Sequence, residues 1–168
     1  PYFAEHCNSE INEFPYVENF ENWSEKHPFY GCWELLDNDN DGFSFHSTEW
    51  VKLGYEIDQA VNPTGRDGSK GVVIFSGEQY AAEYKDNWMI SPAFDLTSQG
   101  EPALVPVMSF YYKLEYSANP EKYLIYIGNN KNIGEMVLIY SVEIESGEDW
   151  KKYSADLANY ISDAGLFS

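Results

Sequence analysis

The sequence predicts an all-β fold, a sandwich or barrel of short strands, and three observations lead there. Runs with strand character recur at short intervals along the 168 residues, separated by clusters of Gly, Pro, Asn and Asp. Aromatic side chains make up 17% of the chain, a composition suited to half-buried strands. Helical periodicity is weak throughout, so the strand–helix alternation of an α/β fold is missing. A chain of 168 residues can build one sizeable core and is short for two linked domains, so a single domain is expected.

The expected strands, in order, are Tyr16 to Phe20, Cys32 to Leu36, Val72 to Phe75, Trp88 to Ile90, Val105 to Leu114, Tyr123 to Ile127, Val137 to Ile144 and Trp150 to Ala155. The best defined pair is Lys122 to Gly128 with Met136 to Glu145. Both are rich in β-branched and aromatic residues, and Asn129, Asn130, Asn132 and Gly134 between them supply turn chemistry for a hairpin with a moderately long loop. In Val142-Glu-Ile-Glu145 the alternation places the glutamates on the wet face. In the Trp88 strand, Trp88, Ile90 and Phe94 are expected to face the core, with Asp86 and Asn87 at its wet end. Only Asp156 to Ser162 can carry a helical turn or two, with Asp156 as cap. Residues 48–70, with Gly54, Pro63, Gly65 and Gly68, read as a long excursion between strands.

Ten Lys and Arg against 28 Asp and Glu give a formal charge of −18. Phosphate backbones and anionic lipid surfaces are repelled by such a chain, which argues against nucleic acid as a partner. No run approaches the roughly 20 apolar residues of a membrane span, so direct membrane insertion is not expected. Pro1 opens the chain without a charged start and apolar signal stretch, which suggests a chain processed or cut from something larger. Cys7 and Cys32 lack CxxC spacing, so neither a zinc site nor a redox pair is indicated. A disulfide between them and two separate buried thiols both remain open.

Asp37-Asn-Asp-Asn-Asp-Gly42 puts an oxygen-bearing side chain at five successive positions and then a glycine for a sharp turn. Calcium takes six to eight oxygen ligands, and alternate carboxylates on a tight turn can converge on one ion. The run matches the start of an EF-hand loop, but Thr48 stands where that loop needs its bidentate Glu, Glu49 comes one residue late, and no amphipathic helix flanks it. Without further context, an Asp/Asn turn that solvates a hairpin end explains the run equally well.

Catalytic constellations are missing. His6, His27 and His46 belong to no HExxH or Ser/His/Asp signature, and Ser76 and Ser91 lack the GxSxG elbow. The glycines of Gly65 to Gly71 form no phosphate-cradling loop, and 28 acidic residues make any nominated carboxylate pair uninformative. The sequence is therefore not read as an enzyme.

The order of motifs narrows this further. Tyr16-Val-Glu-Asn-Phe-Glu21 precedes Trp33, then Asp37 to Gly42, then Asp86-Asn-Trp-Met-Ile-Ser-Pro-Ala-Phe-Asp-Leu96, then Tyr123 to Ile127, then Trp150 with Asp156-Leu157. From about residue 16 onward this resembles the cleaved adhesin family, which includes the haemagglutinin/adhesin modules attached to gingipain proteases, and the related choice-of-anchor J domains. The resemblance implies a jelly-roll β-sandwich over 16–168, galactose-binding-like and similar also to the MAM domain, preceded by a lead segment 1–15. It implies a calcium-stabilised module that is secreted or on the cell surface and recognises a host or cell-surface protein or glycan. It also implies calcium at Glu21, Asp39 and Asp41, with Asp37 as an addition and Glu18 as a neighbour. Family members continue into closing strands that have no counterpart in Ala164 to Ser168, so the last strands are expected from the rest of the same precursor or from a neighbouring subunit. A structural or assembly subunit of a surface appendage, and an accessory domain of a larger secreted protease or hydrolase, are the alternative functions. Trp50, Tyr80 and Tyr84 fall in segments read as loops, where a ring with a polar edge suits carbohydrate or protein contact.

Overall fold

The computed structural model describes Cys7 and residues 10–24, 30–40, 42, 44–48, 65–67, 70–74, 86–96, 105–114, 121–145, 147 and 149–160. The chain divides into two compact units, Pro1–Asn8 with Pro15–Pro92, and Ser9–Phe14 with Ala93–Ser168.

The first unit contains β1 (Glu34–Asp37), β2 (His46–Ser47), β3 (Val72–Val73) and β4 (Asn87–Ile90). β1 pairs antiparallel with β4, Glu34 opposite Ile90 and Asp37 opposite Asn87, and β2 pairs antiparallel with β3. On β4, Ile90 is buried while Trp88, on the same face, is half-buried, as is Phe94 beyond the strand. Asp86 is exposed, as its place at a strand end suggests. Asn87 is a correction: both polar atoms of its amide are buried, without a hydrogen-bond partner among the described residues, because the residue already belongs to the paired ladder opposite Asp37.

Trp23 anchors this unit, with no surface left to solvent. Its ring lies edge-on to Phe20 at 5.1 Å and to Tyr30 at 5.2 Å, with Trp33 at 6.4 Å. The stretch Tyr16 to Phe20, expected as a strand, is irregular. The Glu18 carboxylate accepts from the Phe20 backbone N–H at 2.7 Å and from the Tyr16 hydroxyl at 3.1 Å, and Phe20 has φ 62°. A side chain that captures a backbone donor two residues on competes with ladder formation, and a left-handed residue ends an extended run. Burial, and then the nearby Glu18 carboxylate, push the Tyr16 hydroxyl pKa up.

Gly31 at φ 59° and Cys32 at φ 68° form a mirror-image turn into β1, closed by the Trp33 N–H donating to the Tyr30 carbonyl at 2.9 Å. A Cβ on Gly31 would lie 2.9 Å from Glu18 Oε2 and 3.1 Å from Trp23 Nε1. Gly31→Ala is therefore expected to cost about 1–3 kcal/mol, from the left-handed backbone and the crowding together. The urea midpoint measures this; a loss under about 0.5 kcal/mol, within the range of a neutral surface change, would contradict it. The question left open by the cysteines is answered: Cys7 and Cys32 are bonded, with Cα atoms 5.1 Å apart.

The second unit contains β5 (Val107–Tyr112), β6 (Glu121–Ile127), β7 (Val137–Ile144) and β8 (Lys151–Asp156). β5 pairs antiparallel with β8, and β6 with β7. Along β5, Met108, Phe110 and Tyr112 turn inward, while Val107, Ser109 and Tyr111 face water. Rings join the two strand pairs: Tyr123 of β6 lies 6.4 Å from Phe110 and 6.0 Å from Tyr112, and Tyr140 of β7 lies 4.2 Å from Tyr153 of β8. Enclosure among these rings pushes the Tyr123 hydroxyl pKa up, through loss of hydration of the phenolate.

The hairpin follows its expected plan. Between β6 and β7 the Asn132 side chain accepts from Gly134 N and caps a 3-10 turn at Ile133–Glu135. In β7, Ile144 is buried and Glu143 exposed, as the alternation requires. Past β8 a single 3-10 turn, Ala158–Tyr160, is capped by Asp156, whose Oδ1 accepts from Ala158 N at 2.8 Å. Ile11 of the lead segment bridges Phe94 in parallel, its N–H donating to the Ala93 carbonyl at 2.8 Å. The protein is all-β, its sheets are antiparallel as in a β-sandwich, and among the described residues no closed barrel forms.

Candidate functional site

The acidic loop leaves the end of β1 and returns beside the start of β4. The ladder extends one residue past Asp37, where the Asn38 N–H donates to the Asp86 carbonyl at 3.0 Å. Asn40 at φ 55° and Gly42 at φ 85° then turn the chain, and nothing lies within 4 Å of the position a Gly42 Cβ would take. Gly42 is thus needed for its backbone angle and not for space.

Each described carboxylate here has a defined partner. Asp37 Oδ2 accepts from the Gly42 N–H at 3.0 Å, which closes the loop on its own first residue. Asp39 Oδ2 accepts from the Asp86 N–H at 3.2 Å. Asp86 accepts from Asn38 Nδ2 on one oxygen and from Trp88 Nε1 on the other, both at 2.6 Å. Asp86 is the participant that sequence reasoning left out of the site. Its position, one residue before the Asn87 strand and so opposite the loop in a β1–β4 pairing, is the only signal that could have found it.

The structure thus places Asp37 and Asp39 on one loop, with Asp86 hydrogen-bonded to Asp39 and Asn38 beside it, side chains whose oxygens are of the type a hard cation takes. Glu21 is held elsewhere by a backbone contact, its Oε1 accepting from the Lys70 N–H at 2.9 Å, while Lys70 Nζ donates to the Trp23 carbonyl at 3.0 Å. Glu18 is occupied within its own turn by Phe20 and Tyr16. Asp41, Trp50, Tyr80 and Tyr84 lie outside the described residues. Among the described residues no group of three or more His, Cys, Asp or Glu side chains is placed to hold a metal ion. Among them, too, no helix is long and apolar enough to cross a membrane.

Neither the curated proteins nor the solved structures contain a significant match to this chain. A family model described as the Cleaved Adhesin Domain matches residues 17–159. That span holds all eight of the described strands, Glu21, the acidic loop and the Asn87 strand that faces it. With most of its length inside the match, the chain belongs to the cleaved adhesin family.

Proposed function

We propose that this protein is a non-catalytic, calcium-stabilised adhesion module, working outside the cell or on its surface, that recognises protein or glycan ligands on a host or cell surface. The observation that carries the reading is the family match over residues 17–159, which covers both units and so favours treating 16–168 as one adhesin-type domain. The Cys7–Cys32 bond supports it, since structural disulfides persist in oxidising, extracellular compartments. The family's character is that of a binding module, and a fold hosts function only through its sites, so the ligand must be found by binding.

Calcium belongs to this proposal. Glu21, Asp37, Asp39 and Asp41 are its assigned donors, and the carboxylates already ordered around the Asp86 turn are the part of the site that supports it. When bound, the ion would supply positive charge to a chain carrying −18 and tie the loop to the segments that share it. Binding to the folded state alone adds RT ln(1 + [L]/Kd), about 2.7 kcal/mol at a hundredfold excess over Kd. At roughly 2–4 °C per kcal/mol for a chain of this size, the melting temperature should rise by roughly 5–10 °C between EDTA and calcium. Asp39→Asn should abolish most of the shift. Superimposable melting curves would remove calcium from the account.

A further inference from the structure

We infer that Tyr140 and Tyr153 form an oxidative modification site, where a one-electron oxidant joins the two rings through a carbon–carbon bond and so staples β7 to β8. The inference goes beyond the adhesion reading and does not depend on it.

The fold sets the geometry. Tyr140 lies on β7 opposite Ile125 of β6, and Tyr153 lies on β8 opposite Phe110 of β5. The two tyrosines belong to different strand pairs, so the approach of their rings is fixed by packing within the unit and not by a shared ladder. Their centroids are 4.2 Å apart with the planes tilted by 39°. Aromatic pairs usually settle at roughly 4.5–7 Å, so these ring edges are in contact. By comparison, the Tyr112 and Tyr123 rings stand 6.0 Å apart. Phe110 lies 5.3 Å from Tyr153 and has no hydroxyl to lose. Tyr140 and Tyr153 are half-buried, which leaves part of each open to an oxidant in water, and Tyr160 beyond β8 is exposed. Burial, and then the nearby Tyr140 and Tyr160 phenolates, push the Tyr153 hydroxyl pKa up. Tyr160 is thus the competing partner for Tyr153, and the 4.2 Å ring contact is what favours Tyr140.

The chemistry needs two phenols and the oxidant. Each phenol gives up one electron and its hydroxyl proton, leaving a phenoxyl radical whose unpaired electron is shared with the carbons ortho to oxygen. The two unpaired electrons then pair as a bond between one ortho carbon of each ring. Each of those carbons loses its hydrogen as a proton and each oxygen regains one, so both phenols are restored and the protein has lost two hydrogen atoms. With hydrogen peroxide and a haem peroxidase as oxidant, the peroxide takes up the two electrons and two protons and leaves as two waters. Radicals on separate molecules must meet by diffusion, whereas rings held in contact couple at a high effective concentration.

The test treats the whole protein, at high dilution, with peroxidase and hydrogen peroxide, while free tyrosine in a parallel reaction shows that the oxidant is active. The monomer should gain dityrosine fluorescence, lose the mass of two hydrogens, and yield on digestion a cross-linked pair of peptides containing Tyr140 and Tyr153. Tyr140→Phe and Tyr153→Phe, which keep the rings, should each lower the fluorescence of the monomer about tenfold or more, and Tyr111→Phe should leave it as it was. Melting curves of the untreated variants show that each is folded. Treatment should also raise the melting temperature of the wild type by several degrees relative to its effect on Tyr140→Phe. A monomer without dityrosine, fluorescence that survives either change, or a link that maps to Tyr160 or to Tyr112 with Tyr123 would overturn the site. A mapped link without the relative rise in melting temperature would overturn the staple.

Discussion

Trp23→Ala should be the most damaging single substitution, costing about 3–5 kcal/mol, a large share of the 5–15 kcal/mol that typically separates folded from unfolded states. Trp23 is fully buried and is the common neighbour of Phe20, Tyr30 and Trp33, so its removal empties the centre of that cluster. The indole N–H is buried without a hydrogen-bond partner among the described residues. Trp23→Phe should therefore cost less than its lost volume suggests, about 1–2 kcal/mol, because it also deletes an unsatisfied donor. Urea unfolding followed by circular dichroism separates the two. A Trp23→Ala loss below about 1 kcal/mol, the typical cost of an ordinary substitution, would mean that the cluster is not the core of its unit.

Replacing both bonded cysteines by serine should cost nearly as much, by a different route. The cross-link joins residues 25 apart in sequence, and closing a loop of that size in the unfolded chain corresponds to about 3.5 kcal/mol. Part of the effect should appear in the unfolded state, so the urea m-value is expected to rise once the link is gone and the denatured chain expands. Cys7 lies in the segment 1–15 that was expected to lead into the domain, and the bond fastens it to the turn that opens β1. Unfolding of the wild type in reducing buffer should reproduce the serine variant. A midpoint unchanged by reduction would contradict the account.

The legible parts of this fold were those where two signals agree. In the β6–β7 hairpin, alternation fixed both strands and the Asn- and Gly-rich loop fixed the reversal, so β7 falls on Val137–Ile144 as expected. Where one signal stood alone, tertiary context prevailed. Tyr16 to Phe20 has strand composition, but the Glu18 carboxylate takes the Phe20 N–H and no ladder forms. β2, His46–Ser47, is too short to leave a pattern. Trp23, between Asn22 and Ser24 in an irregular stretch, has no periodicity to mark it as core. The candidate site was legible in its chemistry, since oxygen-bearing side chains at five successive positions before Gly42 can serve few ends. Its geometry was not: that Asp86 joins Asp39 and Asn38 depends on β1 pairing with β4, and the Asn38–Asp86 contact spans 48 residues, a separation no local pattern encodes.

The claim that this chain is an adhesion module is tested most directly by equilibrium binding of the intact, oxidised protein, in calcium, to immobilised panels of glycans and extracellular-matrix proteins, with the mass of each ligand measured before and after. The account predicts saturable, reversible binding to at least one ligand, whose mass stays unchanged, and loss of that binding when the protein is unfolded. Turnover of a ligand by catalytic amounts of the protein, or no saturable binding to any member of either panel, would contradict it.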